Sequence, residues 1–150
     1  VGVFDERFYF LFEDVDLGFR AQLAGYKCLY LPSAVVWHHA SASLEGKWDK
    51  LCVFHGNKNE ILILAKNMPG RLLRRYFWTI LWRHIRIIAS HFKRGLKARP
   101  FSAAWAKVVA LWMLPSVLKD RRRIQAMKVV SDEYIDSMLV QEVPEGYILD

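Results

Sequence analysis

Hydrophobic and polar positions change their period along this chain, and the changes mark its elements. After a turn-like, aromatic opening, Asp14 is placed to cap a short helix whose Leu17, Arg20, Ala21 and Ala24 share one face. Gly25 follows where a left-handed C′ residue is wanted. Tyr26–Leu31 then reads as a strand stopped by Pro32, and Val35–His38 as a second short one. Residues 1–43 are therefore expected to be compact α/β.

A polar stretch around Glu45-Gly46-Lys47 leads into a predicted helix through Asn59-Glu60-Ile61-Leu62-Ile63-Leu64-Ala65-Lys66, ended by Pro69-Gly70. Beyond it, Leu73, Phe77, Ile80, His84, Ile87 and Ile88 gather on one side of a helical wheel. Arg75, Arg83, Arg86, Lys93 and Lys97 gather on the other, and Trp78 and Trp82 border the charged side. Residues 101–118 are more uniformly apolar, but Lys107 and Pro115 interrupt them and the stretch only just reaches spanning length. A helix lying in the membrane interface is the expectation. The acidic stretch from Ser131 to Asp150 reads as a weak helix and then a frayed end.

Three segments follow from this pattern: 1–70 as a folded α/β part, 71–130 as basic amphipathic helices that associate with membrane, and 131–150 as an acidic tail. Length and composition add that 150 residues suffice for one domain with a core. The formal net charge of +7 lies almost wholly after Arg71 and favours an anionic partner. An anionic cytoplasmic membrane surface explains both the charge and the apolar face; nucleic acid explains only the charge, so no nucleic-acid partner is expected. Cys28 and Cys52 form no short-spaced metal pair and fit a reducing cytoplasmic setting. The opening Val-Gly-Val, with no initiator Met and no charged region before an apolar stretch, reads as part of a longer chain.

Glu13, Asp14 and Asp16 crowd three carboxylates into four residues beside Phe10, Phe12 and Leu17. Such crowding points to acid–base chemistry or a metal, or more plainly to an N-cap with acidic residues in the first helical turn. Their company decides between these. Gly2-Val3-Phe4-Asp5-Glu6, then Phe10-Leu11-Phe12-Glu13-Asp14-Val15-Asp16-Leu17, Arg20, Gly25, Pro32, Ala34, and Val36-Trp37-His38 followed by Ser41-Ala42-Ser43 stand in one order. This series resembles family 2 glycosyltransferases, with the bacterial rhamnosyltransferase-like group nearest in look. The similarity is dense over residues 1–70 and looser after them.

The resemblance implies the C-terminal portion of a GT-A fold, an α/β architecture, followed here by basic amphipathic helices. It also implies a nucleotide-sugar donor, a divalent metal (Mg²⁺ or Mn²⁺) and an inverting displacement onto a lipid-linked or cell-surface glycan acceptor. Asp14 maps to the base that removes the acceptor hydroxyl's proton, and Glu13 to a residue that orients acceptor hydroxyls. Phe4 and Asp5 lie in the loop that lines the acceptor site, against the plainer reading of a turn with a buried Phe. Arg20 would hold a phosphate or pair with Asp16, which itself supports the helix start. His38 matches a position that supplies a metal ligand in some relatives, or else is a hydrogen-bonded core residue. Lys58-Asn59 matches a basic-Asn pair whose role the sequence does not disclose. The expected enzyme is peripheral on the inner face of the cell membrane, this portion lacks its donor-binding half, and the alternative is a non-catalytic membrane-binding module.

Overall fold

The long helices α2 (Trp48–Asn67) and α5 (Arg99–Ala126) lie along one another, and the rest of the chain is assembled on that pair. A computed structural model describes residues 1–37, 48–93 and 99–139. The close approach has a simple cause: Ala103, Ala106, Ala110 and Val117 recur at helical spacing along the seam, all fully buried. Leu62 and Ile63 of α2 meet Ala110 and Val117 there, together with Phe8 from the opening loop. A second cluster joins Leu23, Met68, Leu72, Ile124 and Ile135.

The shorter elements are a 3₁₀ turn (Glu6–Phe8), α1 (Glu13–Leu23), α3 (Gly70–Arg75), α4 (Phe77–Lys93) and α6 (Asp132–Met138). Pro69-Gly70 ends α2 as expected, with Pro69 as the N-cap residue of α3. The carbonyls left open at the C-terminus of α2 are satisfied from α5. Arg121 Nη1 donates to the Ala65 and Met68 oxygens at 2.9 and 2.7 Å, and Gln125 Nε2 to the Asn67 oxygen at 2.8 Å.

The expectation of an α/β, GT-A architecture fails, since the described residues form helices and no strand. Residues 26–37, read as two strands of which the second would run on to His38 outside the described residues, are irregular coil with a turn at residues 32–33. Their β-branched and aromatic side chains and the stop at Pro32 suit a strand, yet a strand exists only when a neighbour completes its hydrogen-bond ladder. The backbone bonds here are local ones, from Ala34 N to Leu31 O and from Val35 N to Ser33 O. Tyr30 and Trp37 stand 90% and 94% exposed, so nothing among the described residues covers these side chains either. Two further findings refine the basic part. Pro115 lies inside α5 without ending it, at an exposed position. The basic amphipathic segment is two helices, divided at Tyr76.

The end of α1 does follow its sequence signal. Gly25 has φ of +84°, Gly25 N bonds Gln22 O at 3.0 Å and Tyr26 N bonds Ala21 O at 3.0 Å, which is the Schellman pattern. Val129 N then bonds Leu23 O at 2.9 Å, tying α1 to the segment after α5. A Cβ on Gly25 would meet Val129 Cγ2 at 2.9 Å as well as the left-handed strain. Gly25→Ala is expected to cost about 1–2 kcal/mol, read from the urea midpoint; an unchanged midpoint would refute this account of the corner.

Candidate functional site

The site residues come from the loop ahead of α1 and from the first turns of that helix, and α2 holds both in place. Leu11 and Phe12 carry φ of +66° and +71°, a left-handed backbone that side-chain-bearing residues rarely adopt. Strain of this kind persists only where the surroundings over-determine it. The sources of that constraint are polar groups buried on α2. Asn59, fully buried, donates from Nδ2 to the carbonyls of Phe10 at 2.8 Å and Leu11 at 2.6 Å. Lys58 Nζ donates to the carbonyl of Arg7 at 2.8 Å. The Lys58-Asn59 pair, whose role the sequence left open, is thus a clamp on the loop that delivers Glu13 and Asp14.

Below the clamp lies an ionic network. Asp16 and Arg20, one helical turn apart, are both buried, and Arg20 Nη2 stands 2.9 Å from Asp16 Oδ2. Lys66 Nζ is 2.9 Å from Asp16 Oδ1, and Asn67 Nδ2 donates to the same oxygen at 2.8 Å. Lys66 also reaches Asp5 Oδ2 at 2.6 Å and lies over the Phe8 ring. Arg7 pairs with Asp5 at 2.5 Å and with Asp120 of α5. Arg20 further donates to the carbonyls of Val1 and, at 2.9 Å, Val3. Of the two sequence readings of Arg20, the pairing with Asp16 is therefore present.

Asp5 has a cap role too: its side chain accepts the Arg7 N–H and starts the 3₁₀ turn. Burial acts to raise its carboxyl, but hydrogen bonds from Arg7 and Lys66 outweigh that and hold it well below the usual carboxylate range. Burial pushes the Lys58 ammonium down, with Asp5 opposing.

A cavity of about 480 Å³ opens beside this network, with Phe4, Asp5, Arg20, Lys66, Asp120 and Arg123 among its lining. Three residues singled out from the sequence, Phe4, Asp5 and Arg20, thus come together. Glu13 and Asp14 do not line it. Helix geometry gives the reason: Asp14 is two residues from Asp16, about 200° around α1, so it turns away from the face carrying Asp16 and Arg20.

Asp14 is not the helix cap. Phe12 holds that position without a side-chain cap bond, and Asp14 is the second residue of α1. Its carboxylate is exposed and accepts the Val15 N–H at 2.7 Å. Glu13 Oε2 is buried and has no hydrogen-bond donor among the described residues. This pair offers one open carboxylate and one sheltered acceptor on a rigid helix start.

His38 lies outside the described residues. Among those described, no three His, Cys, Asp or Glu gather as a metal site, and the half-buried Asp5 and the buried Asp16 already face cations. The described residues do not by themselves fit a divalent ion. Lys66, Asn67 and Asp120 carry no local sequence signal of their part in the network, because their partners lie 50 or more residues away. What could have marked the first two is polarity at helical spacing, Asn59, Lys66 and Asn67, within an otherwise apolar stretch of helix.

The depressed carboxyl of Asp5 sets a pH dependence. Its contribution to stability is complete above the ordinary carboxyl pKa and is lost as pH falls below about 4. Asp5→Asn is therefore expected to flatten the acid limb of a plot of unfolding free energy against pH; an acid limb of unchanged slope would show that Asp5 is not so held.

Over 80 residues the chain is 54% identical to the N-acetylglucosaminyl-diphospho-decaprenol L-rhamnosyltransferases of two Mycobacterium tuberculosis strains, CDC 1551 / Oshkosh and ATCC 25618 / H37Rv. No family model matches the chain, and no solved structure matches it. The match covers 53% of this chain and 26% of each relative, so the chain spans about a quarter of their length and stands in a rhamnosyltransferase-like relationship to them.

Proposed function

We propose that this chain belongs to an inverting glycosyltransferase of the family 2 type, which moves a sugar, rhamnose by preference, from a nucleotide-sugar donor to a lipid-linked or cell-surface glycan acceptor at the cytoplasmic face of the membrane. The observation that carries the reading is the 54% identity to rhamnosyltransferases named for a diphospho-decaprenol acceptor. This chain would be the acceptor-side portion, with the donor bound by other parts of the enzyme.

In this reading Asp14 accepts the proton of the attacking acceptor hydroxyl. General-base chemistry needs a carboxylate that a hydroxyl can reach and that is held still. Exposure supplies the first requirement, and the clamped loop with α1 supplies the second. Glu13, half-buried beside Asp14 on the same helix start, would orient the acceptor's hydroxyls. Phe4, Asp5 and Arg20 line the cavity on the other side of α1 from Asp14, so in this proposal Asp5 and Arg20 serve to hold the loop and helix that carry the base. A divalent Mg²⁺ or Mn²⁺ enters the proposal only through His38 and would need ligands beyond the described residues, so no step is routed through it.

The test is Asp14→Asn in an enzyme of the relatives' length that contains this sequence. Turnover is expected to fall by about 10² or more, with donor affinity and melting temperature retained. Unchanged turnover would remove Asp14 as the base and favour the alternative of a non-catalytic membrane-binding module.

A further inference from the structure

The helical wheel of the sequence puts Ile80, His84, Ile87 and Ile88 on the face available to lipid, and the structure turns that face inward. His84 is buried, and Ile80 packs against the second core cluster. A different apolar arc of α4 is left open. Trp78, Leu81, Trp82, Ile85 and Phe92 are exposed and recur at helical spacing, with Arg86 and Lys93 exposed along one edge.

On α5 the surface opposite the alanine seam is also open: Phe101, Trp105, Val108 and Trp112 are exposed, Trp112 by 82%. The stripe continues into Lys119 and Arg122, both exposed. The two arcs touch where Phe92 and Phe101 meet edge to face, with ring centroids 6.3 Å apart. The result is one aromatic surface across two helices, bordered by cations. Large exposed patches of this kind mark interaction sites, and Trp beside Arg and Lys is the composition favoured at a bilayer interface.

We propose that this joint face of α4 and α5 rests in the headgroup–acyl boundary of an anionic bilayer, with α5 lying in the plane of the membrane. This deepens the membrane-association part of the proposed function and does not depend on the sugar chemistry. The charge complementarity of the cationic border selects anionic lipid as the partner. Residues Pro100–Ala126 are long and apolar enough to cross a membrane, and with only 22% of the most apolar window buried inside the protein, most of it is free to meet lipid. What keeps α5 from crossing is α2, laid along it with Lys58, Lys66 and Asn67 bonded to the ionic network and its loop. Crossing would carry those charges into hydrocarbon; lying flat leaves them on the aqueous side.

The test is flotation of the purified protein with vesicles of phosphatidylcholine alone and of equal parts phosphatidylcholine and phosphatidylglycerol. Binding is expected to the anionic vesicles, weakened on the order of tenfold by the pair Trp105→Ser and Trp112→Ser with melting temperature unchanged. Tyr30→Ser, exposed elsewhere, is expected to leave it unchanged. Alkaline carbonate should release the bound protein. Equal binding to both vesicles, retention through the carbonate wash, or a dimer in solution that the same tryptophan pair abolishes while vesicle binding is absent would each overturn the proposal. In an enzyme of the relatives' length that contains this sequence, sugar transfer to a detergent-dispersed acceptor should survive the tryptophan changes, which separates failure here from failure of Asp14.

Discussion

The carboxylate of Asp16 is the constraint on which the arrangement rests. It is fully buried, and Arg20, Lys66 and Asn67 all converge on it. An isolated buried carboxylate is costly, and its attraction to buried cations repays that cost only when the geometry is good and the remaining hydrogen-bonding positions are filled. Each partner therefore has to be where it is. Lys66 and Asn67 fix α2 against α1, Arg20 gathers the carbonyls of Val1 and Val3, and Lys66 passes the constraint to Asp5 and, through Arg7, to Asp120 on α5. Helix position, loop path and the core around Phe8 follow from one buried charge.

This gives α2 two jobs that its sequence combines. Its apolar residues, Leu62 and Ile63, seat it on the alanine seam of α5, while Lys58, Asn59, Lys66 and Asn67 are buried for polar work. Asn59 in particular sustains a left-handed Leu11 and Phe12. Strained backbone beside an exposed acid is a costly arrangement for a mere helix start, and that cost supports the proposal of chemistry at Glu13 and Asp14.

Local signals were legible in the sequence. Gly25 closes α1, Pro69-Gly70 closes α2, and the i,i+4 spacing of Asp16 and Arg20 announces their pair. Signals that depend on distant partners were not. The apolar, aromatic and β-branched composition of residues 26–37 resembles strands, but composition alone cannot say whether a ladder partner exists, and none is present among the described residues. On α4 the wheel separated apolar from charged residues but could not tell which apolar arc the neighbouring helices would cover. The site showed the same division: the acidic cluster was visible, whereas the roles of Lys58, Asn59 and Lys66 emerged only once α2 was laid against the loop.

Whether Asp16 and Lys66 act as one buried unit, as the whole arrangement requires, is tested most directly by a double-mutant cycle. Asp16→Ala, Lys66→Met and the pair would be compared by urea unfolding. The predicted result is a coupling of at least about 1 kcal/mol, with the pair less destabilised than the two single changes summed. Additivity within about 0.5 kcal/mol would contradict it, and with it the claim that this charge organises the loop and α1.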